Sequence, residues 1–452
     1  MAAPVSNLQR GVFQRRGLQA VAWGLLYLFL ASLPLLVLLI GPTPKGGGLW
    51  WDFSMALGFS GLAMMGLQFV LTARFRGATA PFGMDIIYYF HRWAAIGGMA
   101  LLVAHYAILR VRHGEALGSA NPIEASWHMT AGRLSLLIFL VIIVSSLWRK
   151  KLGIDYDRWR IWHGLLAVAA VILAIFHIEG AGYYTSAPWK KLVWTGYSGL
   201  WLLLLGYIRV VKPFRLSRRP YRVSDVRAER GDSWTLTLEP QGHSIPAFSP
   251  GQFAWLSLGR SPFRAREHPF SFSGSADNLK SLQFTIKELG DFTRTIKHVK
   301  PGEIAYVDGP HGVFTTDHYP RARGFVLIAG GVGIAPMMSI LRTHADRNDP
   351  RPLRLIYGNA RWERVLFREE IEALANRLKL DVIHVLQEPP AGWQGSTGLL
   401  SESVLRQAIP ESALGYGHFI CGPKPMTDSV QRSLLSMGVP LRKIHLELFD
   451  IA

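Results

Sequence analysis

Four histidines lie inside long apolar stretches, where an ionisable side chain is rare and usually functional. His91 and His105 share one stretch, His163 and His177 another, and both spacings are 14 residues. On a helix turning about 100° and rising about 1.5 Å per residue, 14 steps return to nearly the same face roughly 21 Å further on. Two such helices running the same way present two facing imidazole pairs, His91 with His163 and His105 with His177, stacked across a membrane. A single buried histidine is readily explained as a polar contact between helices. Two matched pairs suit two haems, because a bundle builds cofactor sites from facing side chains and imidazole is an axial ligand. Zinc asks for three or four ligands where each pair offers two. Arg92, beside an inner histidine, and Arg133 are candidates to neutralise haem propionates; Arg92 could equally snorkel to the interface.

A second set of residues suits nucleotide chemistry. The turn Gly330-Gly331-Val332-Gly333-Ile334-Ala335-Pro336 follows the apolar strand 325–329 and precedes a helix expected from near Met337. Glycines there let backbone approach a pyrophosphate at a helix N-terminus. Arg361, after a second strand ending at Asn359, is placed to meet an adenosine 2′-phosphate, so NADPH is favoured with NADH possible. A solvent-facing arginine reads the same. A later strand ends in Cys421-Gly422-Pro423, placed to meet a nicotinamide unless Cys421 is simply a buried core thiol. Upstream lie His268-Pro269-Phe270-Ser271-Phe272-Ser273 and Gly290-Asp291-Phe292-Thr293, the latter at an apparent helix start that could cradle a second phosphate.

Two different halves must position these residues. Apolar stretches near the ~20 residues that a spanning helix needs cover 17–40, 50–73, 84–109, 130–148, 159–178 and 189–211. The first has a basic lead but no cleavage site, so it reads as a retained helix rather than a signal peptide. Loops on one side carry 15 basic residues, from Arg10 to Arg219, and the opposite loops five: Lys45, Arg110, Arg112, Lys190 and Lys191. The positive-inside rule puts the N-terminus and the chain after the sixth span in the cytoplasm. The lipid bilayer thus accounts for much of the net charge of +18. No basic run interleaved with aromatics points to nucleic acid. A lone cysteine excludes an intrachain disulfide. Beyond Arg219, short alternating runs at 234–238, 253–258 and 282–287 suggest an antiparallel barrel. From Gly324 a strand–helix alternation suggests a parallel doubly wound sheet. The expected architecture is multidomain: a cytoplasmic segment 1–16, an all-α six-helix bundle 17–211, a β-barrel 212–320 and an α/β domain 321–452.

These motifs, in this order over nearly the whole chain, resemble the ferric reductase/NADPH oxidase family, whose soluble half has the ferredoxin–NADP reductase fold. The resemblance implies a flavoprotein: Ser271 hydrogen-bonds the isoalloxazine of FAD, Gly290–Thr293 holds its pyrophosphate, and Phe449 covers the ring until nicotinamide displaces it. Phe449 fits inexactly, since three residues follow it. Asp308-Gly309-Pro310-His311-Gly312 also fits. With 16 residues before the first span, the EF-hand extension of calcium-regulated members is not expected. The implied activity passes electrons from cytoplasmic NAD(P)H through FAD and two b haems to a small acceptor outside, ferric chelate or dioxygen, with no required protein partner. Rival readings feed a quinone or a partner protein, or use the histidines as a proton or ion pathway.

Overall fold

The computed structural model describes residues 7–40, 47–74, 84–259, 261–264 and 267–448. Contacts divide the chain into two units, 1–212 and 213–452.

The first unit is helical: α1 (Asn7–Leu38), α2 (Leu49–Thr72), α3 (Met84–Arg112), α4 (Trp127–Leu147), α5 (Tyr156–Ala181) and α6 (Pro188–Gly206). Local signals set several ends. Asp155 caps α5 by accepting from the Arg158 amide, and Gly182 closes it in the left-handed conformation, which glycine adopts without strain. Pro188 opens α6 at a position that needs no N–H donor. Beyond Gly206 the helix widens into a π segment, Tyr207–Val211. Among the described residues, four helices are long and apolar enough to cross a membrane, α2 to α5. In α1 the apolar described part is the shorter Val21–Val37, and α6 carries Lys190 and Lys191 in its first turn. The apolar windows of α3, α4 and α5 are only 17–22% buried, so their outward faces are apolar, as lipid contact requires. Inside the unit, Phe59, Met65, Phe139, Val171, Trp194 and Trp201 form the core. Small residues set the spacing: a side chain on Gly61 would stand 3.0 Å from the Gly98 carbonyl of α3, the close backbone approach by which membrane helices pack.

The second unit has two sheets. The first is antiparallel, in the order β4-β3-β6-β1-β2-β5, with β1 (Tyr221–Glu229), β2 (Ser233–Pro240), β3 (Phe253–Leu258), β4 (His268–Ser271), β5 (Leu282–Lys287) and β6 (Ile304–His311). A bridge from Phe272 to Phe284 joins the end of β4 to β5, so the sheet curls into a barrel over Leu236, Leu256 and Phe284. Pro269 is tolerated because β4 lies at the end of the strand order. The second sheet runs β10-β9-β8-β7-β11-β12 and all its pairings are parallel. Its strands are β7 (Phe325–Gly330), β8 (Leu353–Asn359), β9 (Leu380–Leu386), β10 (Ser396–Thr397), β11 (Gly417–Gly422) and β12 (Ile444–Leu448). Short helices accompany them: α7 (Asp291–Thr295), α8 (Ile334–Asp346), α9 (Arg368–Ala375), α10 (Glu402–Ala408) and α11 (Lys424–Ser436). The helix after the Gly-rich turn starts at Ile334, three residues before the position expected from sequence, because Gly331–Gly333 already forms a 3-10 turn.

Candidate functional site

The helical unit brings the four histidines together in two pairs. The rings of His91 and His163 are 6.4 Å apart between centroids, tilted by 56°. The two rings would together hold one metal ion between them. His105 and His177 line one cleft, together with Gly58, Gly132, Arg133 and Phe139.

The hydrogen bonds fix which ring nitrogen faces each site. His105 Nδ1 lies 2.8 Å from the Ser54 carbonyl, and His177 Nδ1 2.9 Å from the His128 carbonyl. A carbonyl only accepts, so Nδ1 carries the proton and Nε2 keeps its lone pair. At His163 the Ser146 hydroxyl gives its proton to the Ile142 carbonyl and so receives the Nδ1 hydrogen at 3.3 Å. His91 Nδ1 is buried without a hydrogen-bond partner. Metal-binding histidines are held in this way, by the nitrogen that does not ligate. Two glycines make room: a side chain on Gly132 would stand 2.7 Å from the His177 ring, and one on Gly58 3.1 Å from the His105 ring. Among the described residues no three His, Cys, Asp or Glu side chains gather into a metal-binding cluster. Paired imidazoles with free Nε2 atoms beside a roomy apolar cleft fit haem.

Arg133 lines the same cleft but donates to the carbonyls of Leu117 and Ser119, both at 2.6 Å. It therefore anchors the loop between α3 and α4 as well as presenting charge to the cleft. Arg92 is exposed on α3.

In the second unit the motifs meet at the carboxyl ends of the parallel strands. β7 and β11 are neighbours, with Ala329 opposite Cys421. The next strand in sequence after β7 lies on its other side, so this is the point where strand order reverses and nucleotides bind in such sheets. The glycines have distinct duties. Gly331 takes φ +55°, and a side chain there would meet open space, as an approaching pyrophosphate requires. A side chain on Gly333 would collide with the Cys421 carbonyl, and one on Gly330 with Met426 and Pro423. Val332 lies within the turn. Cys421 is fully buried, and burial, with Glu447 opposite it on β12, holds the thiol well above its usual range. It is a neutral thiol rather than a thiolate nucleophile. Glu447 was not apparent from sequence, since only the β11–β12 register brings it to Cys421. Gly422 ends β11, and Pro423 caps α11.

The barrel motif occupies β4 and the residues after it. Ser271 and Ser273 are buried, and Ser273 accepts from Thr285 at 2.9 Å. His268 and Phe270, alternate residues of β4, both lie within 20° of parallel to Phe292, His268 at 4.0 Å. Such flat parallel faces fit a planar ring system. In the Gly290-Asp291-Phe292-Thr293 turn, the Thr293 hydroxyl takes the amides of Leu289 and Gly290, each at 2.8 Å. A phosphate here would therefore be left with the amides of Asp291 and Phe292. Arg361 is paired with Glu388, Nε to Oε2 at 2.7 Å, so it is not a free cation beside the strand ends. Phe449 lies outside the described residues.

The family of ferric reductase like transmembrane components matches residues 57–174, which hold His91, His105 and His163, with His177 three residues beyond the matched range. The oxidoreductase NAD-binding domain family matches 327–432, which hold the Gly-rich turn and Cys421-Gly422-Pro423. The chain thus carries a segment similar to ferric reductase like transmembrane components, followed by one similar to oxidoreductase NAD-binding domains. The chain is 32% identical over 167 residues to NADH-cytochrome b5 reductase 1 of Lodderomyces elongisporus, covering 36% of this chain and 55% of that one. It is 33% identical over 175 residues to NADH-cytochrome b5 reductase 1 of Cryptococcus neoformans var. neoformans, covering 36% and 58%. The chain thus spans little more than half the length of the curated relatives it matches. A solved ferredoxin reductase in carbazole 1,9a-dioxygenase is 27% identical, with TM-score 0.45, over 51% of this chain and 69% of that one. The flavohem-like FAD/NAD-binding domain of nitric oxide dioxygenase from Vibrio cholerae is 23% identical, with TM-score 0.45, over 51% and 98%.

Proposed function

We propose that this protein is a membrane oxidoreductase that passes electrons from NAD(P)H on the cytoplasmic side to a small acceptor on the other, ferric chelate or dioxygen. The observation that carries the reading is the pair of two-histidine sites in the membrane unit, three of whose histidines have Nδ1 tied down and Nε2 free. His91 with His163 and His105 with His177 would each hold one haem. The barrel motif around Ser271, with the Gly290–Thr293 turn, would hold FAD, and the β7/β11 switch point the nicotinamide nucleotide. When bound, flavin accepts a hydride and releases electrons singly to haem. The protein's own part is geometric and electrostatic. Gly331 admits the pyrophosphate, while Cys421, buried at the end of β11, and Glu447 beside it back the crevice. The Ser54 and His128 carbonyls hold the outer imidazoles in one tautomer. The basic loop residues fix which end faces the cytoplasm. A reduced-minus-oxidised absorbance spectrum of purified protein given NADPH or NADH tests the reading. Two low-spin b haems per chain, reduced by nucleotide, are expected; a preparation that binds flavin but no haem would contradict it.

The Arg361–Glu388 pair bears on the coenzyme. A 2′-phosphate must draw Arg361 away from Glu388 and then sit beside that carboxylate, whereas a ribose diol can hydrogen-bond to the carboxylate. The pair is exposed on both sides, so its worth is at most about 1 kcal/mol. Glu388→Gln is therefore expected to lower the KM for NADPH up to about fivefold, leaving that for NADH within twofold. Steady-state kinetics with both coenzymes measure this, and an unchanged ratio would separate Arg361 from the phosphate.

A further inference from the structure

One face of α8, the helix that begins at the Gly-rich turn, is polar where it meets the barrel. Ser339, Arg342, Thr343 and Arg347 recur at helical spacing and point one way. Ser339 and Thr343 are fully buried. The Gly251 amide donates to Ser339 Oγ at 3.4 Å, and the Ala276 amide to Thr343 Oγ1 at 2.8 Å. Arg342 Nη1 donates to the Ser273 carbonyl at 2.7 Å and to Gln283 Oε1 at 3.0 Å. Its other edge forms a two-bond fork with Glu370 of α9, both bonds 2.7 Å, and its guanidinium lies 5.1 Å from the Phe367 ring. Arg347 reaches Asp277 of the barrel and Asp317.

The partners are not scattered over the barrel. Gly251 leads into β3, the partner of β4, while Ser273 and Ala276 follow β4, with Ser273 two residues beyond Ser271. Gripping a domain for stability alone does not require backbone atoms of the motif that meets the flavin. A planar guanidinium held on both edges transmits position with little play, unlike a flexible cation.

We propose that Arg342 is a positioning residue for hydride transfer: it holds the exit of the Ser271 strand in register with the Gly-rich turn, and so sets the distance between flavin and nicotinamide. This rests on the reading of the two motifs as flavin and nicotinamide sites. Angstrom-scale misplacement of reacting groups lowers rate while leaving affinity largely intact. The test is anaerobic stopped-flow reduction of the flavin by NADH and NADPH in the full-length protein, comparing wild type, Arg342→Met and Arg342→Lys. Arg342→Met is expected to lower the limiting flavin-reduction rate about tenfold, with nucleotide affinity within twofold and flavin content unchanged. The long-wavelength charge-transfer absorbance of the flavin–nicotinamide complex is expected to weaken in parallel. Arg342→Lys, which can keep one bond to the Ser273 carbonyl, should recover part of both. If Arg342→Met does not fold, Thr343→Val removes one bond of the same stripe and is expected to lower the rate two- to threefold. A wild-type limiting rate and charge-transfer band, with only a lower melting temperature, would overturn the proposal and make the stripe structural. Wild-type protein without flavin absorbance or nucleotide oxidation would instead overturn the reading of the motifs.

Discussion

Replacing His105 with Leu is expected to leave one haem per chain instead of two and to lower delivery of electrons to an acceptor on the outer side at least about 100-fold. His105 and His177 share one cleft, and one imidazole cannot supply both axial ligands. The His91/His163 pair is built from different turns of α3 and α5, so the remaining haem should still be reduced by NAD(P)H. The pyridine haemochrome count and the outside-acceptor rate, measured on the same preparation, check this. His177→Leu is expected to match it. A His105→Leu protein with two haems and full activity would show that the ligands had been misassigned.

The second large effect is expected at Gly333. Its φ of −59° suits any residue, so Gly333→Ala brings no backbone strain. The added methyl collides with the Cys421 carbonyl and must push β11 from β7, at the crevice where the nucleotide is proposed to lie. Overpacking of this kind costs about 1–3 kcal/mol of stability, and displacement of the nicotinamide wall by about 1 Å lowers rate on the order of 100-fold. Flavin reduction by NAD(P)H should fall by about that factor, with flavin content and haem spectrum retained. Gly331→Ala is the complementary control. Its φ of +55° carries strain of about 1 kcal/mol, yet its methyl meets open space. It should cost stability, and affinity for the pyrophosphate more than rate. Equal behaviour of the two variants would mean that the glycines serve only the turn.

Both substitutions show what was legible in the sequence and what was not. The interval of 14 residues is a statement about helix periodicity, so the pairing of the histidines could be read before any coordinates. The Gly-rich turn between strand and helix was legible for the same reason: its signal is local. Residues that meet only through the fold were hidden. Ser54 lies 51 positions from His105, and His128 lies 49 from His177. Their carbonyls carry no sequence signature, because any residue supplies one. Gly58 and Gly132 look like ordinary small residues of membrane helices until the imidazole rings are seen against them. Arg361 pairs with Glu388, which follows β9, and no local signal in the sequence joins the two. Arg342, a lone arginine in a helical stretch, gave no hint of its reach to Ser273. The six apolar stretches were plain in composition. Four of them, α2 to α5, form helices long and apolar enough to span a membrane, the described apolar part of α1 is Val21–Val37, and α6 carries two lysines in its first turn.

The central claim is that electrons cross the bilayer through the two histidine pairs. It is tested most directly in sealed proteoliposomes with ferricyanide trapped inside and NADPH or NADH added outside. Wild-type protein oriented with its nucleotide domain outward is expected to bleach the trapped acceptor on adding nucleotide, and His105→Leu is expected not to. Fast oxidation of nucleotide with the trapped ferricyanide untouched, while the same acceptor added outside is reduced, would contradict the account.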